Sequence, residues 1–332
     1  MKDKFKVSVI IPVFNAEAYI EKAILSAVQQ TEVDEILVID DGSTDESYKI
    51  IKDLEANYPK LRIFQHHKKQ NLGRSASRNL GIKKASSDFI AFLDADDYYL
   101  ENRFKYDQKI FEDDPTIAGV YNAIGAHFYR LPKGDLEAEK VKLTTLEYPV
   151  TPERLFHELW VEGGIGHFSG IGLTVKKEIF EKIGYFNEKL EVAEDTELWI
   201  KISLKGKLVP GKLNESVAIR GVHDSNVFVK INSQFYFKEY HKMYLSLREW
   251  STHEQLPASI VAFFAEQAKK YLLKYFDLDN RGYFNPRSTF YIISHLIKCR
   301  KFKALFYVVP VLFLYKPTGK GYFLRRNLIK NM

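Results

Sequence analysis

The sequence predicts an α/β fold: a mixed, mostly parallel sheet with helices on both faces, followed by a mainly helical C-terminal region. Three observations predict it. Strand-length apolar runs alternate with amphipathic helical segments through the first third of the chain, which implies right-handed βαβ crossovers. The run Phe89-Ile90-Ala91-Phe92-Leu93 is apolar enough to be buried on both faces of a sheet, and it ends in Asp94, Asp96 and Asp97. The charge is split: residues 226–332 hold 18 Lys and Arg against 6 Asp and Glu, a net +12, which leaves residues 1–225 at −6. Such an asymmetry marks two functional regions.

The elements follow in order. Val7–Val13 reads as the first strand, and Asn15 as the cap of a helix whose Ile20, Ile24, Ala27 and Val28 share one face. Glu35–Ile39 is the second strand. Ser43 with Glu46 forms a capping-box pattern that opens a helix to about Glu55. Leu61–Phe64 is a third strand, Ser75–Lys84 a short helix, and Asp88–Leu93 the fourth strand. Residues 117–175 are less regular and contain Gly163-Gly164-Ile165-Gly166. A turn at Gly184 precedes a helix from about Glu194, and Ser216–Ile219 reads as another strand. From Gln234 onward the pattern is mainly helical, broken at Pro257, Asn285-Pro286, Pro310 and Pro317. A length of 332 residues accommodates one large domain or two ordinary ones.

Composition narrows the setting. The single cysteine, Cys299, excludes an intramolecular disulfide and fits a reducing compartment. The N-terminal apolar segment is short and holds Pro12, so it reads as a strand and not as a signal peptide. No stretch reaches the roughly eighteen apolar residues of a membrane span.

Chemistry concentrates at strand ends, where ligands bind in parallel sheets. Asp94, Asp96 and Asp97 repel one another unless a cation sits among them, and hard oxygen ligands beside a diphosphate suit Mg²⁺ or Mn²⁺; a solvated acidic turn is the plainer alternative. Asp40-Asp41-Gly42-Ser43 offers carboxylates to a base or ribose, or simply a helix-opening turn. Arg74 and Arg78, four apart on one helix face, suit a phosphate chain or a solvated ion-pair surface. Asp195, at a helix start, is kept ionised by the positive helix end and suits a general base, or it merely compensates the dipole. His223 follows a strand and can complete a metal shell, or be structural. Neither GxGxxG nor GxxxxGK[ST] occurs, so no Rossmann dinucleotide site or P-loop is indicated.

Taken together and in order, Val9-Ile10-Ile11-Pro12-Val13-Phe14-Asn15, Asp40-Asp41-Gly42-Ser43, Asn71 through Gly81, Leu93-Asp94-Ala95-Asp96-Asp97 and Glu194-Asp195 resemble the motifs of glycosyltransferase family 2, which has the GT-A fold. The resemblance covers about residues 5–226. It implies a catalytic domain at 1–225, with a nucleotide-sugar half at about 1–120 and an acceptor half at about 121–225, and a separate basic, aromatic region at 226–332. It implies that Pro12 and Phe14 line a uracil site, that Asp41 reads the nucleoside, and that Asn71 and Arg78 contact the nucleotide and sugar phosphate. Asp94 and Asp96 match the DxD pair, with Asp96 as metal ligand and His223 beside it, for Mn²⁺ or Mg²⁺. Asp195 matches the general base. Phe14 stands where tyrosine is commoner, which keeps stacking and loses a hydroxyl. The QxxRW motif of processive synthases is absent, so the resemblance implies an inverting enzyme that moves one sugar from a UDP-sugar to an acceptor hydroxyl in surface polysaccharide or glycoconjugate assembly. The rivals are a sugar nucleotidyltransferase, which would want a Gly-rich, Arg-containing loop where Pro12-Val13-Phe14-Asn15 stands, and a non-catalytic binding protein of the same fold.

The C-terminal region carries its own expectation. Ala304–Tyr315 is apolar for twelve residues, holds Pro310, and is flanked by Arg300, Lys301 and Lys303 before and Lys316, Lys320, Arg325 and Arg326 after. Too short to span a bilayer, it suits an anionic membrane interface. The expectation is a peripheral enzyme on the inner face of the plasma membrane, in the cytoplasm, acting on a glycan or lipid-linked glycan acceptor. A core helix or a dimer interface is the alternative, and oligomerisation stays open. No nucleic-acid motif accompanies the basic residues, so no nucleic-acid partner is expected.

Overall fold

The structure, a computed structural model, describes residues 5–129, 143–224, 226 and 232–277. The chain divides into two compact units, Met1–Val229 and Lys230–Met332. In chain order the first unit contains β1 (Val7–Val13), α1 (Ile20–Val28), β2 (Val33–Asp40), α2 (Ser47–Asn57), β3 (Leu61–Gln65), α3 (Arg74–Lys84), β4 (Phe89–Phe92), β5 (Tyr98–Tyr99), α4 (Lys105–Asp113), β6 (Gly119–Tyr121), β7 (Gly125–Phe128), α5 (Pro152–Phe156), β8 (Leu173–Lys176), α6 (Ile179–Ile183), α7 (Glu194–Lys205), β9 (Leu208–Pro210) and β10 (Ala218–Val222).

The main sheet runs β3-β2-β1-β4-β8-β6-β9. β1 sits between β2 and β4, parallel to both. Its side chains are therefore covered on both faces, which is why Val-Ile-Ile runs without polar alternation there. Ile10 and Ile11 are fully buried, and each such side chain contributes roughly 1.5–3 kcal/mol. The β1–β4 ladder ends where Leu93 N donates to Ile10 O. The next β1 position facing β4 is Pro12, which has no N–H to continue the ladder, so the pairing stops there. β8 enters antiparallel between β4 and β6, so the sheet is mixed as expected. A second, three-stranded sheet, β5-β10-β7, lies beyond the end of β4.

Two helix starts differ from their expected form. Asn15 does not cap α1, which begins at Ile20, and Ser43 with Glu46 does not form a capping box, because α2 begins at Ser47. The loops after β1 and β2 brace each other instead. Asn15 N donates to Ser43 Oγ (3.1 Å), Thr44 N to Asn15 Oδ1 (2.8 Å), Ala16 N to Ser47 Oγ (2.8 Å) and Glu46 N to Glu17 Oε2 (2.9 Å). Adjacent parallel strands bring these loops side by side, and each satisfies the other's amides.

The second unit is described by α8 (Ser233–His253) and α9 (Ala258–Asp277), which pack as a pair. Asn232 caps α8 through its side chain, accepting from Phe235 N at 2.8 Å. Met243, Leu247, Phe264 and Ala268 are buried, Tyr244 stacks on Tyr271, and His241 Nδ1 lies 2.7 Å from Ala268 O. No helix among the described residues is long and apolar enough to cross a membrane. The apolar run Ala304–Tyr315 and Cys299 lie outside the described residues.

Candidate functional site

The carboxyl ends of β1, β2 and β4, the start of α7 and the end of β10 converge on one crevice. At the β1 end Phe14 is 50% exposed, unusual for an aromatic beside a core strand. Asp41 at the β2 end is only 3% exposed. Its Oδ1 accepts from Leu72 N at 2.8 Å and its Oδ2 from Gly73 N at 2.9 Å, with His66 Nε2 3.5 Å from Oδ1. Asp41 thus fixes the loop that carries the exposed Asn71.

Arg74 and Arg78 on α3 both turn to Glu194, the first residue of α7. Arg74 Nη2 donates to Glu194 Oε2 (3.0 Å), and Arg78 Nη1 to Glu194 Oε1 (3.1 Å). Arg78 Nη2 also reaches Asp94 Oδ1 at 2.6 Å. Both guanidinium groups are committed to carboxylates of the chain itself, because Glu194 is 2% exposed and a buried charge must be paired. Burial works against ionising Asp94, yet Arg78 outweighs it and holds that carboxyl below the ordinary range. Burial and the adjacent Asp195 push Glu194 upward against the two arginines.

α7 opens at Ala193, whose φ of 64° is left-handed. A non-glycine residue there is strained, and such strain gathers at functional sites. The turn leaves Glu194 facing inward and Asp195 half-buried at the crevice. Asp195 Oδ1 accepts from Thr196 N (2.6 Å) and Thr196 Oγ1 (3.2 Å). No hydrogen bond to its Oδ2 occurs among the described residues, so one oxygen is available to accept a proton.

Asp96 and Asp97 have the opposite balance to Asp94. Burial and Asp94 raise Asp96; burial, Asp94 and Asp96 raise Asp97 well above the usual carboxylate range. Asp97 Oδ1 accepts from Gly221 N at 2.8 Å. Gly221 is required by space: a Cβ there would lie 2.1 Å from Asp96 O. This approach brings the end of β10 onto the acidic turn. His223 Nε2 stands 3.0 Å from Asp96 Oδ2, and Asn226 Nδ2 donates to the same oxygen at 3.0 Å. Tyr19 stacks on the His223 ring with centroids 4.6 Å apart.

Among the described residues no ready-made group of three or more His, Cys, Asp or Glu ligands is present. The Asp96 carboxylate and the His223 imidazole nevertheless meet at one point, beside Asp97, which burial and its acidic neighbours push upward, and these donor types suit a hard divalent cation. The expected residues Asp94, Asp96, Asp195, Arg78 and His223 thus come together, while Pro12, Phe14 and Asp41 stand at the neighbouring ends of β1 and β2 and Asn71 on the loop that Asp41 holds. Glu194 as the anchor of both arginines, His66, Tyr19 and Asn226 were not legible as site residues. Glu194 stood out as the neighbour of Asp195 but not as a partner of arginines, and Asn226 lay three residues after His223 in a polar loop.

The sequence model described as glycosyl transferase family 2 matches residues 8–184. The chain is 39% identical over 186 residues to a glycosyltransferase of Haemophilus influenzae, covering 56% of this chain and 68% of that one. It is 31% identical over 224 residues to a glycosyltransferase of Rickettsia felis, covering 64% of this chain and 33% of that protein. It is 30% identical over 234 residues to the chondroitin synthase of Pasteurella multocida, covering 68% of this chain and 21% of that protein. The chain thus spans a third or less of the length of those last two relatives. S. aureus TarS 1-349, crystallised in complex with UDP-GlcNAc, superposes with a TM-score of 0.57 at 21% identity, covering 82% of this chain and 73% of that one; at that identity the likeness speaks for the fold.

Proposed function

The chain is a member of glycosyl transferase family 2, and from that premise we propose that it transfers one sugar, with inversion, from a UDP-sugar to an acceptor hydroxyl in surface polysaccharide or glycoconjugate assembly. The observation that carries the proposal is the convergence of Asp96–His223 and Asp195 on one crevice, bridged by Arg78 and Glu194. The UDP-GlcNAc complex of the TarS fold relative supports the donor class.

The roles follow from placement. Phe14 offers an exposed ring face to a base, and Asp41 holds the Asn71 loop. Asp96 and His223 would hold a divalent cation, which when bound supplies positive charge beside the diphosphate leaving group. Arg78 and Arg74 fix Glu194, and so fix the start of α7. Asp195 Oδ2 takes the proton of the acceptor hydroxyl as its oxygen attacks the anomeric carbon from the face opposite the diphosphate. One displacement of this kind inverts the anomeric centre. A peripheral location on the inner face of the plasma membrane and a lipid-linked acceptor belong to the same proposal; they rest on the charge and aromatic pattern of residues 280–332.

The test is UDP release from a panel of UDP-sugars with Mn²⁺, alongside calorimetric titration of UDP with and without the metal. Release with one donor and metal-dependent UDP binding are expected. Binding without release from any donor, in the presence of glycan acceptors, would return the chain to the non-catalytic rival.

A further inference from the structure

In the acceptor half, α5 continues into a wider π-type turn, His157–Glu162. Such turns are rare, re-aim side chains, and gather at functional sites. This one ends at Gly163 and Gly164, with φ of 72° and 86°, where a side chain would meet nothing within 4 Å beyond its chain neighbours among the described residues. The turn therefore borders open space.

Trp160 sits in that turn, half-buried. Its ring stacks on Phe156 (6.2 Å, 30°) and meets Phe168 edge-on (6.5 Å, 82°). Phe168 lies 6.4 Å from Trp199, and Trp199 is one helical turn after Asp195 on α7. A run of ring contacts through the buried Phe168 and Trp199 thus links Trp160 to the helix that carries the proposed base. Beyond it Val161 and Tyr148 are 40% and 46% exposed. Polar groups rim the patch: His157 Nδ1 and Glu162 Oε1 pair at 3.2 Å and are both exposed.

An aromatic face with a polar rim matches one ligand chemistry better than others. A pyranose ring has an apolar C–H face and hydroxyls around its edge, whereas a lipid chain has no use for the rim. We propose that Trp160 is the stacking platform of an acceptor subsite that takes the C–H face of a pyranose, one or more units from the hydroxyl presented to Asp195. The proposal rests on the glycosyltransfer reading above and names its acceptor class: a glycan.

The test uses the full chain without donor. Methyl β-glucopyranoside, methyl β-galactopyranoside and methyl N-acetyl-β-glucosaminide are titrated by saturation-transfer NMR against wild type, Trp160→Ala and Trp160→Phe, with calorimetric UDP binding in Mn²⁺ as the parallel arm. At least one glycoside should show saturation of ring-face protons in wild type, with affinity about tenfold weaker in Trp160→Ala, the size of one aromatic contact, and largely kept in Trp160→Phe. In turnover, the acceptor KM should rise in Trp160→Ala with kcat little changed. Equal signals in wild type and Trp160→Ala, or no glycoside signal in wild type, overturns the subsite. UDP binding lost in wild type overturns the glycosyltransfer reading instead, so the two failures are separable.

Discussion

Two ends of one sheet treat buried carboxylates in opposite ways. Near the start of β2, Glu35 accepts from Ser8 Oγ (2.6 Å), Ser86 N (2.5 Å) and Ser86 Oγ (2.9 Å), with Arg62 Nη1 at 3.4 Å. Burial opposes its ionisation, but these donors outweigh it and hold the carboxyl below its ordinary value. At the far end of the sheet, the half-buried Asp96 and the buried Asp97 stand beside further carboxylates and are pushed upward. At the first end donors crowd one carboxylate; at the second, His223, Asn226 and Gly221 N meet carboxylates that crowd one another. On the proposed function, that difference separates a carboxylate that holds strands together from carboxylates kept for chemistry.

Four experiments break or sharpen this contrast. The largest effect is expected at the α7 start: Asp195→Asn should lower turnover about 10²- to 10⁴-fold, the usual weight of a general base, with UDP affinity unchanged by calorimetry. Near-normal turnover would move the base to another group. Next, Arg78→Met should cost about 3–5 kcal/mol in urea unfolding, because Glu194 is left buried and short of a partner; a neutral result would mean that the acidic end is not held by its ion pairs. Third, Asp96→Asn should weaken UDP binding about ten- to a hundredfold in Mn²⁺, the range seen when a metal site is disturbed, and leave it unchanged in EDTA. A like loss in EDTA would make Asp96 a direct ligand contact.

The smallest effect belongs to the satisfied end. Glu35→Gln should cost about 1.5–3 kcal/mol near neutral pH, the worth of hydrogen bonds to a charged group. The sign is set by the lowered carboxyl. Its contribution is full above the ordinary Glu value near 4.3 and is lost as pH falls through the folded value. The gap between wild type and Glu35→Gln in thermal midpoint should therefore narrow below about pH 4.5. A gap that stays constant to pH 3 would remove Glu35 from the account.

Much of the first sheet was legible because the physics there is local. Val7–Val13 and Phe89–Leu93 are buried on both faces, and continuous apolar runs announce it. The acidic turn after β4 and the Glu194-Asp195 pair stood out through their clustered charge. Of the small sheet only β10 was legible, as the strand read at Ser216–Ile219, since strands as short as Tyr98–Tyr99 leave no periodicity to read. The destination of Arg74 and Arg78 was equally hidden: a helix face shows that two guanidiniums are adjacent, not that a carboxylate more than a hundred residues later will claim both. Likewise Ser43 and Asn15 looked like caps because caps are local, whereas their partners sit on the neighbouring strand's loop.

The Gly221 approach to the acidic turn has a consequence in time. Arg78 and Glu194 are 116 residues apart, Gly221 and Asp97 124, and His223 and Asp96 127. Contacts of such separation close slowly and late. A growing chain can pair β1 with β2 and β4 well before α7 or β10 has been synthesised. Until then Asp94, Asp96 and Asp97 face one another with no histidine and no bridged glutamate. Assembly of this end of the sheet therefore reports that nearly the whole first unit has been made, so a chain cut short during translation would carry the paired β1, β2 and β4 without the His223 and Glu194 contacts that complete it.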